Sequence, residues 1–167
     1  MKLYGAQNLS PETLLTLALE RAYGLSSLPP LARTPLGKPY LPSCPHIHLN
    51  WSHSCPRPLI LCALSDRPVG VDIEVLRPRG TSLPRYALTP EEYALYLELG
   101  GDWPAFYALW TRKEAWCKYT GEGLRPRWGE APPSQGLCFG TYAGETWRAA
   151  VCGEEEAPRE ICWMEVP

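Results

Sequence analysis

The apolar and polar positions in the first part of the chain predict one helix followed by three strands. Residues 11–23 repeat Leu and Ala on one helical face, between Ser10 as N-cap and Gly24 as terminator. The strand candidates, separated by proline-containing turns, lie at 46–52, 58–65 and 68–75. An antiparallel meander is the simplest arrangement for three such consecutive strands.

The second part of the chain predicts two helices and then three strands. The sequence TPEE at 89–92 predicts a capping box at the start of a helix that ends near Gly100. A longer helix is expected from about Trp103 to Tyr119. Three strand candidates follow, LCFGTYA, TWRAAVC and EICWMEV. Consecutive strands grouped between helices predict an α+β fold rather than a doubly wound parallel sheet.

Composition narrows the class of protein. The 167 residues are 45% apolar, which is enough for a folded core, and the net charge of −2 argues against general binding of nucleic acid. No apolar run approaches about 18 residues, and the opening MKLYGAQNLS is too polar for a signal peptide. With an odd number of cysteines, seven, we expect a soluble cytoplasmic protein with reduced thiols that does not bind membranes.

One segment is locally basic. Residues 75–90 hold Arg77, Arg79 and Arg85 and no acid before Glu91. Such a segment suits an acidic partner or a phosphate-rich ligand, although taken alone it is better explained as a solvated loop with scattered arginines.

Two pairs of charged residues are the first candidates for chemistry. Asp72 and Glu74 lie two apart on one predicted strand face, which is typical either of a solvated face or of a site for Mg²⁺. Glu114 and Lys118 lie four residues apart on the predicted long helix. This spacing is typical of a surface ion pair, and it also suits a base and an acid for phosphoryl transfer. Taken separately, each pair is better explained as a solvated face.

Two polar stretches around the first strand have weaker interpretations. In NWSHS, Ser52, His53 and Ser54 offer donors for phosphate oxygens or simply stabilise a strand-end turn. Cys44, His46 and His48 alternate on one strand face, but their spacing matches no common zinc framework, so zinc is disfavoured.

Five motifs in order change this picture. They are GKPYLP (37–42), NWSHS (50–54), VGVDIE (69–74), RYALTPEE (85–92) and WTRKEAWCKYTGEGL (110–124). Together they resemble the Sfp-type phosphopantetheinyl transferases, whose pattern includes G-K-P-x-x-P, N-x-S-H-S, (V/I)-G-(V/I)-D-(I/V)-E and W-T-x-K-E-A-x-x-K-x-x-G-x-G-L. One such motif is weakly specific, whereas five in the right order are highly specific.

The resemblance implies a reaction and a fold. The reaction is Mg²⁺-dependent transfer of the 4′-phosphopantetheine arm of coenzyme A to a carrier-protein serine, with release of adenosine 3′,5′-bisphosphate. The fold is two similar α+β halves with antiparallel sheets, related by a pseudo-twofold axis, with the active site in the cleft between them. The order of elements places the halves at 1–80 and 81–167, and the SHS element favours the monomeric branch over the shorter homotrimeric one.

The resemblance also implies roles for individual residues. Asp72, Glu74 and Glu114 are expected to bind Mg²⁺ on the coenzyme A pyrophosphate. Glu114 is expected to be the general base, with Glu74 as the alternative, and Lys118 to stabilise or protonate the leaving group. The remaining contacts to coenzyme A are expected from Gly37, Lys38, Pro39, Ser52, His53 and Lys113.

The sequence departs from the family pattern in two places. Longer members carry a basic segment before the first helix that binds the 3′-phosphate, whereas the first twelve residues here contain only Lys2 as a base. Arg21 or Arg33 is the candidate substitute. Cys55 follows SHS where the family usually has Gly.

An acidic acyl or peptidyl carrier protein is the partner that the resemblance implies. The basic segment would steer the encounter, with Leu83 and Leu124 as apolar docking residues. Two alternatives remain: a carrier- or coenzyme-A-binding module without turnover, and a Mg²⁺-dependent phosphohydrolase that acts without a carrier.

Overall fold

A computed structural model describes residues 1–55, 58–123, 129–133 and 135–165. Within these residues the elements in chain order are β1 (Lys2–Gln7), α1 (Pro11–Tyr23), β2 (Ala32–Arg33), β3 (Pro39–Tyr40), β4 (His48–Ser54), β5 (Leu59–Ser65), β6 (Val69–Val75), α2 (Leu83–Ala87), α3 (Pro90–Glu98), α4 (Trp103–Thr120), β7 (Cys138–Ala143), β8 (Trp147–Gly153) and β9 (Cys162–Met164). No helix in the described ranges is both long and apolar enough to cross a bilayer.

Two main sheets carry most of the strands. The first sheet has the order β4-β5-β1-β9 and the second has the order β6-β8-β7, while β2 and β3 form a separate two-residue ladder. Every pairing is antiparallel except that of β1 with β9, which is parallel. The predicted α+β class with antiparallel sheets is confirmed.

The sheets and helices stack in four layers. Apolar side chains of β1 and β5, such as Leu3 and Leu61, meet those of β6 and β8, such as Val71 and Val151, between the two sheets. The outer face of the first sheet packs against α1, and the outer face of the second sheet packs against α4. The inner strand β5 is buried at all seven positions, which explains the unbroken apolar run LILCAL before Ser65.

The helix ends follow the sequence signals. The Ser10 side chain accepts a hydrogen bond from the Thr13 N–H, and α1 ends at Gly24 with φ 71°. Both hydrogen bonds of the predicted capping box between Thr89 and Glu92 are present at the start of α3. These predictions are confirmed.

The predicted three-stranded meander extends over only two strands. β4 and β5 form the expected antiparallel pair, but β6 pairs with β8 in the other sheet. The reason is that β1 occupies the second edge of β5, which leaves no edge for β6. The strand β1 was missed in the sequence because its four consecutive buried residues show no alternation.

The proposed division into residues 1–80 and 81–167 stays a prediction. Each sheet contains one strand from across that boundary, β6 in the second sheet and β9 in the first. Two of the sequence expectations, the turn at 56–57 and the docking residue Leu124, lie outside the described residues.

Gly70 allows α4 to approach β6 at backbone distance. A Cβ atom at residue 70 would lie 2.1 Å from the Ala115 carbonyl oxygen and 2.2 Å from the Tyr119 amide nitrogen. Real Cβ atoms do not come this close to backbone atoms, so only glycine fits here. The contact places the acidic and basic side chains of α4 directly over the polar face of β6.

Replacing Gly70 should therefore be costly. Gly70→Ala is expected to lower the free energy of unfolding by about 3 kcal/mol, because α4 or β6 must move to admit the methyl group. Gly80→Ala is the matched control, since a Cβ there meets no atom within 4 Å, and it should change stability by less than about 1 kcal/mol. Guanidinium unfolding measures both, and equal stabilities would show that the close approach is not a constraint.

Candidate functional site

Alternate residues of β4 form a polar row that faces β6. Asn50, Ser52 and Ser54 share one strand face and are all buried. The Asn50 Oδ1 atom accepts a hydrogen bond from the Val71 N–H at 3.0 Å, and Ser54 Oγ accepts one from the Val75 N–H at 3.0 Å. The outer edge of β6, which has no neighbouring strand, is thus held by side chains of β4.

The same row contacts the two acids of β6. Ser52 Oγ donates to Asp72 Oδ1 at 2.7 Å, and Ser54 Oγ donates to Glu74 Oε2 at 2.8 Å. Asp72 is only 3% exposed, and its Oδ2 has no hydrogen-bond partner among the described residues. The interpretation of Asp72 as part of a solvated strand face is therefore wrong, and a buried carboxylate with one uncommitted oxygen takes its place.

The long helix adds a lysine to these acids. Lys118 Nζ donates to Asp72 Oδ1 at 2.7 Å and to Ser52 Oγ at 2.8 Å. Glu114 lies one turn earlier on α4, close enough to interact electrostatically with Asp72, Lys118 and Glu74. The structure thus brings together four predicted site residues from β6 and α4.

The electrostatics of this cluster are unbalanced. Burial raises the pKa of Glu114 to about 7, with Asp72 and Glu74 also raising it and Lys118 lowering it. Burial likewise raises the pKa of Glu74, against the opposing hydrogen bond from Ser54. Lys118 lowers the pKa of both Glu74 and Glu114, and Arg77 lowers that of Glu74, but burial outweighs these cations.

The donor atoms of this cluster are of the kind that a hard cation prefers. Among the described residues, no group of three or more His, Cys, Asp or Glu side chains is already arranged to hold a metal ion. However, the mutual repulsion of the acids and the uncommitted oxygen of Asp72 are features that Mg²⁺ would relieve. Asp72, Glu74 and Glu114 are the residues that would hold it.

A cavity of about 330 Å³ opens beside the cluster. It is lined by Glu114 and Lys118 together with Gly37, Lys38, Pro39, Asn50, Trp51 and Arg33. The GKP motif and Glu114 therefore line one space, although they are more than seventy residues apart in the chain.

Lys38 already has a structural partner in this cavity. Its ammonium donates to the Tyr119 carbonyl oxygen in the last turn of α4, where carbonyl groups lack helical partners. Burial lowers the pKa of Lys38 to about 8. Arg33 is a second cation here, since its guanidinium lies 5.6 Å from the Trp51 ring centroid and donates to Gly37 O.

Two predicted site residues are not brought to the cluster. His53 is exposed and lies on the opposite face of β4 from Ser52. Lys113 is fully buried, and its ammonium donates to Glu92 Oε2 at 2.9 Å and to Ala87 O at 3.3 Å. The charge of Lys113 is thus matched by Glu92 between α3 and α4 rather than offered to the cavity.

The sequence reasoning missed the roles of Asn50 and Ser54. Their spacing with Ser52 was the available signal, because residues i, i+2 and i+4 of a strand point the same way. A row of three short polar side chains on a buried strand indicates a polar neighbour.

Removing the Glu114 charge should stabilise the protein at alkaline pH. A pKa raised from 4.5 to about 7 means that stability falls as pH rises through this window, because the unfolded chain releases the proton first. In EDTA at pH 8, Glu114→Gln is expected to raise the free energy of unfolding by about 1–2 kcal/mol, and at pH 4 the difference should vanish.

The exposed Glu98 of α3 supplies the control for this measurement. Glu98→Gln should show no comparable pH-dependent gain, because its carboxylate is solvated. Urea unfolding at both pH values measures the free energy of unfolding of each variant. A Glu114→Gln variant less stable than the wild type at pH 8 would contradict the description of the cluster as electrostatically strained.

Comparison with known proteins gives a consistent set of matches. Residues 68–149 match the model of the 4′-phosphopantetheinyl transferase superfamily. A 4′-phosphopantetheinyl transferase of Bacillus subtilis is 35% identical over 118 residues, which cover 68% of this chain and 51% of that protein.

Further relatives have the same description. The 4′-phosphopantetheinyl transferase Sfp of Bacillus subtilis strain 168 is 36% identical over 53% of this chain and 39% of its own length. The 4′-phosphopantetheinyl transferase AcpT of Salmonella typhi is 38% identical over 58% of this chain and 52% of its own length. The chain therefore spans about half the length of these relatives, or less.

Proposed function

Because the chain belongs to the 4′-phosphopantetheinyl transferase superfamily, we propose that it transfers the 4′-phosphopantetheine arm of coenzyme A to a carrier-protein serine. The carrier is an apo acyl or peptidyl carrier protein, and the second product is adenosine 3′,5′-bisphosphate. The observation that carries this proposal is the single cavity that joins the GKP loop to the carboxylate and lysine cluster.

The nucleotide end of coenzyme A would enter the cavity along Gly37, Lys38 and Pro39. Lys38 and Arg33 supply positive charge on this side. Contacts of Ser52 and His53 with the 3′-phosphate stay a prediction. Arg33, which lines the cavity, is a further candidate for binding that phosphate.

The pyrophosphate would then lie against the acids and Lys118. Asp72, Glu74 and Glu114 would hold Mg²⁺, which when bound would supply Lewis-acid stabilisation of the charge that develops on the pyrophosphate oxygens. Lys118 donates to the oxygen that leaves with the adenosine bisphosphate as its bond to phosphorus breaks. One phosphoester bond to the carrier serine forms as this bond is lost.

Glu114 is the general base in this proposal. It removes the proton from the carrier serine hydroxyl, since it lines the cavity beside Lys118. Glu74 is the alternative base, because it lies on the same face of β6 as Asp72.

The two alternatives make a different use of the same site. A carrier- or coenzyme-A-binding module has no need of three mutually repelling acids, which cost stability without a reaction to serve. A Mg²⁺-dependent phosphohydrolase would use the acids but would release the bisphosphate in the absence of a carrier.

Mass spectrometry of a carrier protein tests the proposal. After incubation with coenzyme A and Mg²⁺, the apo carrier should gain one phosphopantetheine arm, and EDTA or Asp72→Asn should reduce the rate by at least about a hundredfold. Asp66→Asn, at an exposed turn, is the control and should leave the rate unchanged. Binding without a gain in mass would support the module, and bisphosphate release without carrier would support the hydrolase.

We also propose that the carrier docks on the basic segment, Arg77, Arg79 and Arg85. All three residues are exposed, and the segment begins three residues after Glu74. Tyr86 beside them is 75% exposed and adds apolar surface, while Leu83 is partly buried. Acidic carrier surfaces would be attracted to this segment.

Charge reversal tests the docking surface. The double variant Arg79→Glu, Arg85→Glu should lower the rate of carrier modification by about tenfold at low salt, and added salt should narrow the difference. Arg159→Glu, in the connection between β8 and β9, serves as the control for net charge. A rate that does not respond to the double reversal would place the carrier elsewhere.

The protein is further proposed to act as a monomer in the cytoplasm. No disulfide joins any of the seven cysteines, which suits a reducing compartment.

A further inference from the structure

Lys118 occupies the position at Asp72 that a divalent cation would need. Its ammonium lies 2.7 Å from Asp72 Oδ1 and is fixed there by a second hydrogen bond, to Ser52 Oγ. A Mg²⁺ ion binds a carboxylate oxygen at about 2.0–2.1 Å. The two cations cannot occupy the same side of this oxygen, and each repels the other.

The other oxygen of Asp72 does not offer a way around Lys118. Oδ2 is buried and has no hydrogen-bond partner among the described residues. Lys118, which lines the cavity, bonds to Oδ1, so a cation that enters from the cavity meets the ammonium at this oxygen. Once Lys118 departs, however, the carboxylate can turn without breaking any bond at Oδ2.

Lys118 is well suited to leave. Its side chain is 29% exposed and lines the cavity, whereas the Asp72 side chain is 5% exposed. The flexible four-carbon stem of lysine lets the ammonium reach a new partner while the Cα atom stays in place. An anionic group in the cavity would be such a partner.

We propose that Lys118 is the resident counter-ion of Asp72 and excludes a divalent cation until an anionic ligand draws the ammonium into the cavity. This inference rests on the magnesium site of the proposed function. It adds that tight binding of the cation follows or accompanies binding of the anionic ligand. The free protein binds the cation weakly, and the cation and the anionic ligand each strengthen the binding of the other.

Binding of Mn²⁺ alone tests this directly. Free Mn²⁺ is counted by electron paramagnetic resonance in titrations of the wild type, Lys118→Met, Lys118→Arg and Arg33→Gln, without nucleotide or carrier. Lys118→Met should bind Mn²⁺ at least about tenfold more tightly than the wild type. Lys118→Arg keeps the charge and should bind weakly. Arg33→Gln removes a cation from the same cavity without touching Asp72, and should match the wild type.

A second measurement uses only the wild-type protein. Brief acetylation followed by mass spectrometry reports how accessible each lysine amine is, with exposed Lys2 as the internal reference. Saturating Mg²⁺ should raise the acetylation rate of Lys118 several-fold relative to Lys2, because the ammonium loses its two fixed partners.

The outcomes separate cleanly. The inference is overturned if Lys118→Met binds Mn²⁺ no more tightly than the wild type, if every form fails to bind Mn²⁺, or if Mg²⁺ leaves Lys118 acetylation unchanged. An equal gain in Mn²⁺ affinity in Arg33→Gln would show that the total positive charge of the cavity, not the contact of Lys118 with Asp72, weakens cation binding. That result would also overturn the inference. Neither measurement involves carrier modification, so failure of the transferase proposal would be seen separately.

Discussion

The backbone contact between α4 and β6 at Gly70 is the constraint on which the rest of the site depends. Gly70 lies two residues before Asp72, and the backbone atoms that a Cβ there would meet belong to Ala115, Lys118 and Tyr119, in the turn of α4 that carries Glu114 and Lys118. A helix held at the usual distance from a sheet would keep the Lys118 ammonium away from the buried Asp72. The glycine of VGVDIE is thus as much a part of the site as its acids.

The cluster illustrates how function and stability oppose each other in a small domain. Asp72, Glu74 and Glu114 are partly or fully withdrawn from water with only one lysine nearby, an arrangement that raises the pKa of Glu74 and Glu114. Apolar packing between the two sheets offsets the stability lost by burying these acids. Val71 and Ile73 contribute to that packing and alternate with the acids along β6. Val71 and Ile73 anchor the strand, and the residues between them carry the chemistry.

Local signals in the sequence predicted more of this molecule than long-range ones. The capping box at Thr89 and the grouping of Asp72, Glu114 and Lys118 were accessible, because caps depend on neighbours and the motifs carried a family pattern. The pairing of β6 with β8 could not be predicted in this way. It depends on β1, at the start of the chain, occupying the second edge of β5. Likewise, the sequence around Lys113 does not reveal that Glu92 neutralises it across two helices.

The polar row on β4 also hinders association between copies of this chain. An unpaired strand edge is a template onto which another chain can add, and among the described residues β6 ends the second sheet with one edge that forms no ladder with another strand. Asn50 and Ser54 take up the amide groups of Val71 and Val75 on that edge, so an incoming strand would find those donors already engaged. The residues that position the acids therefore also guard against aggregation, and a substitution there risks insolubility as well as loss of the site.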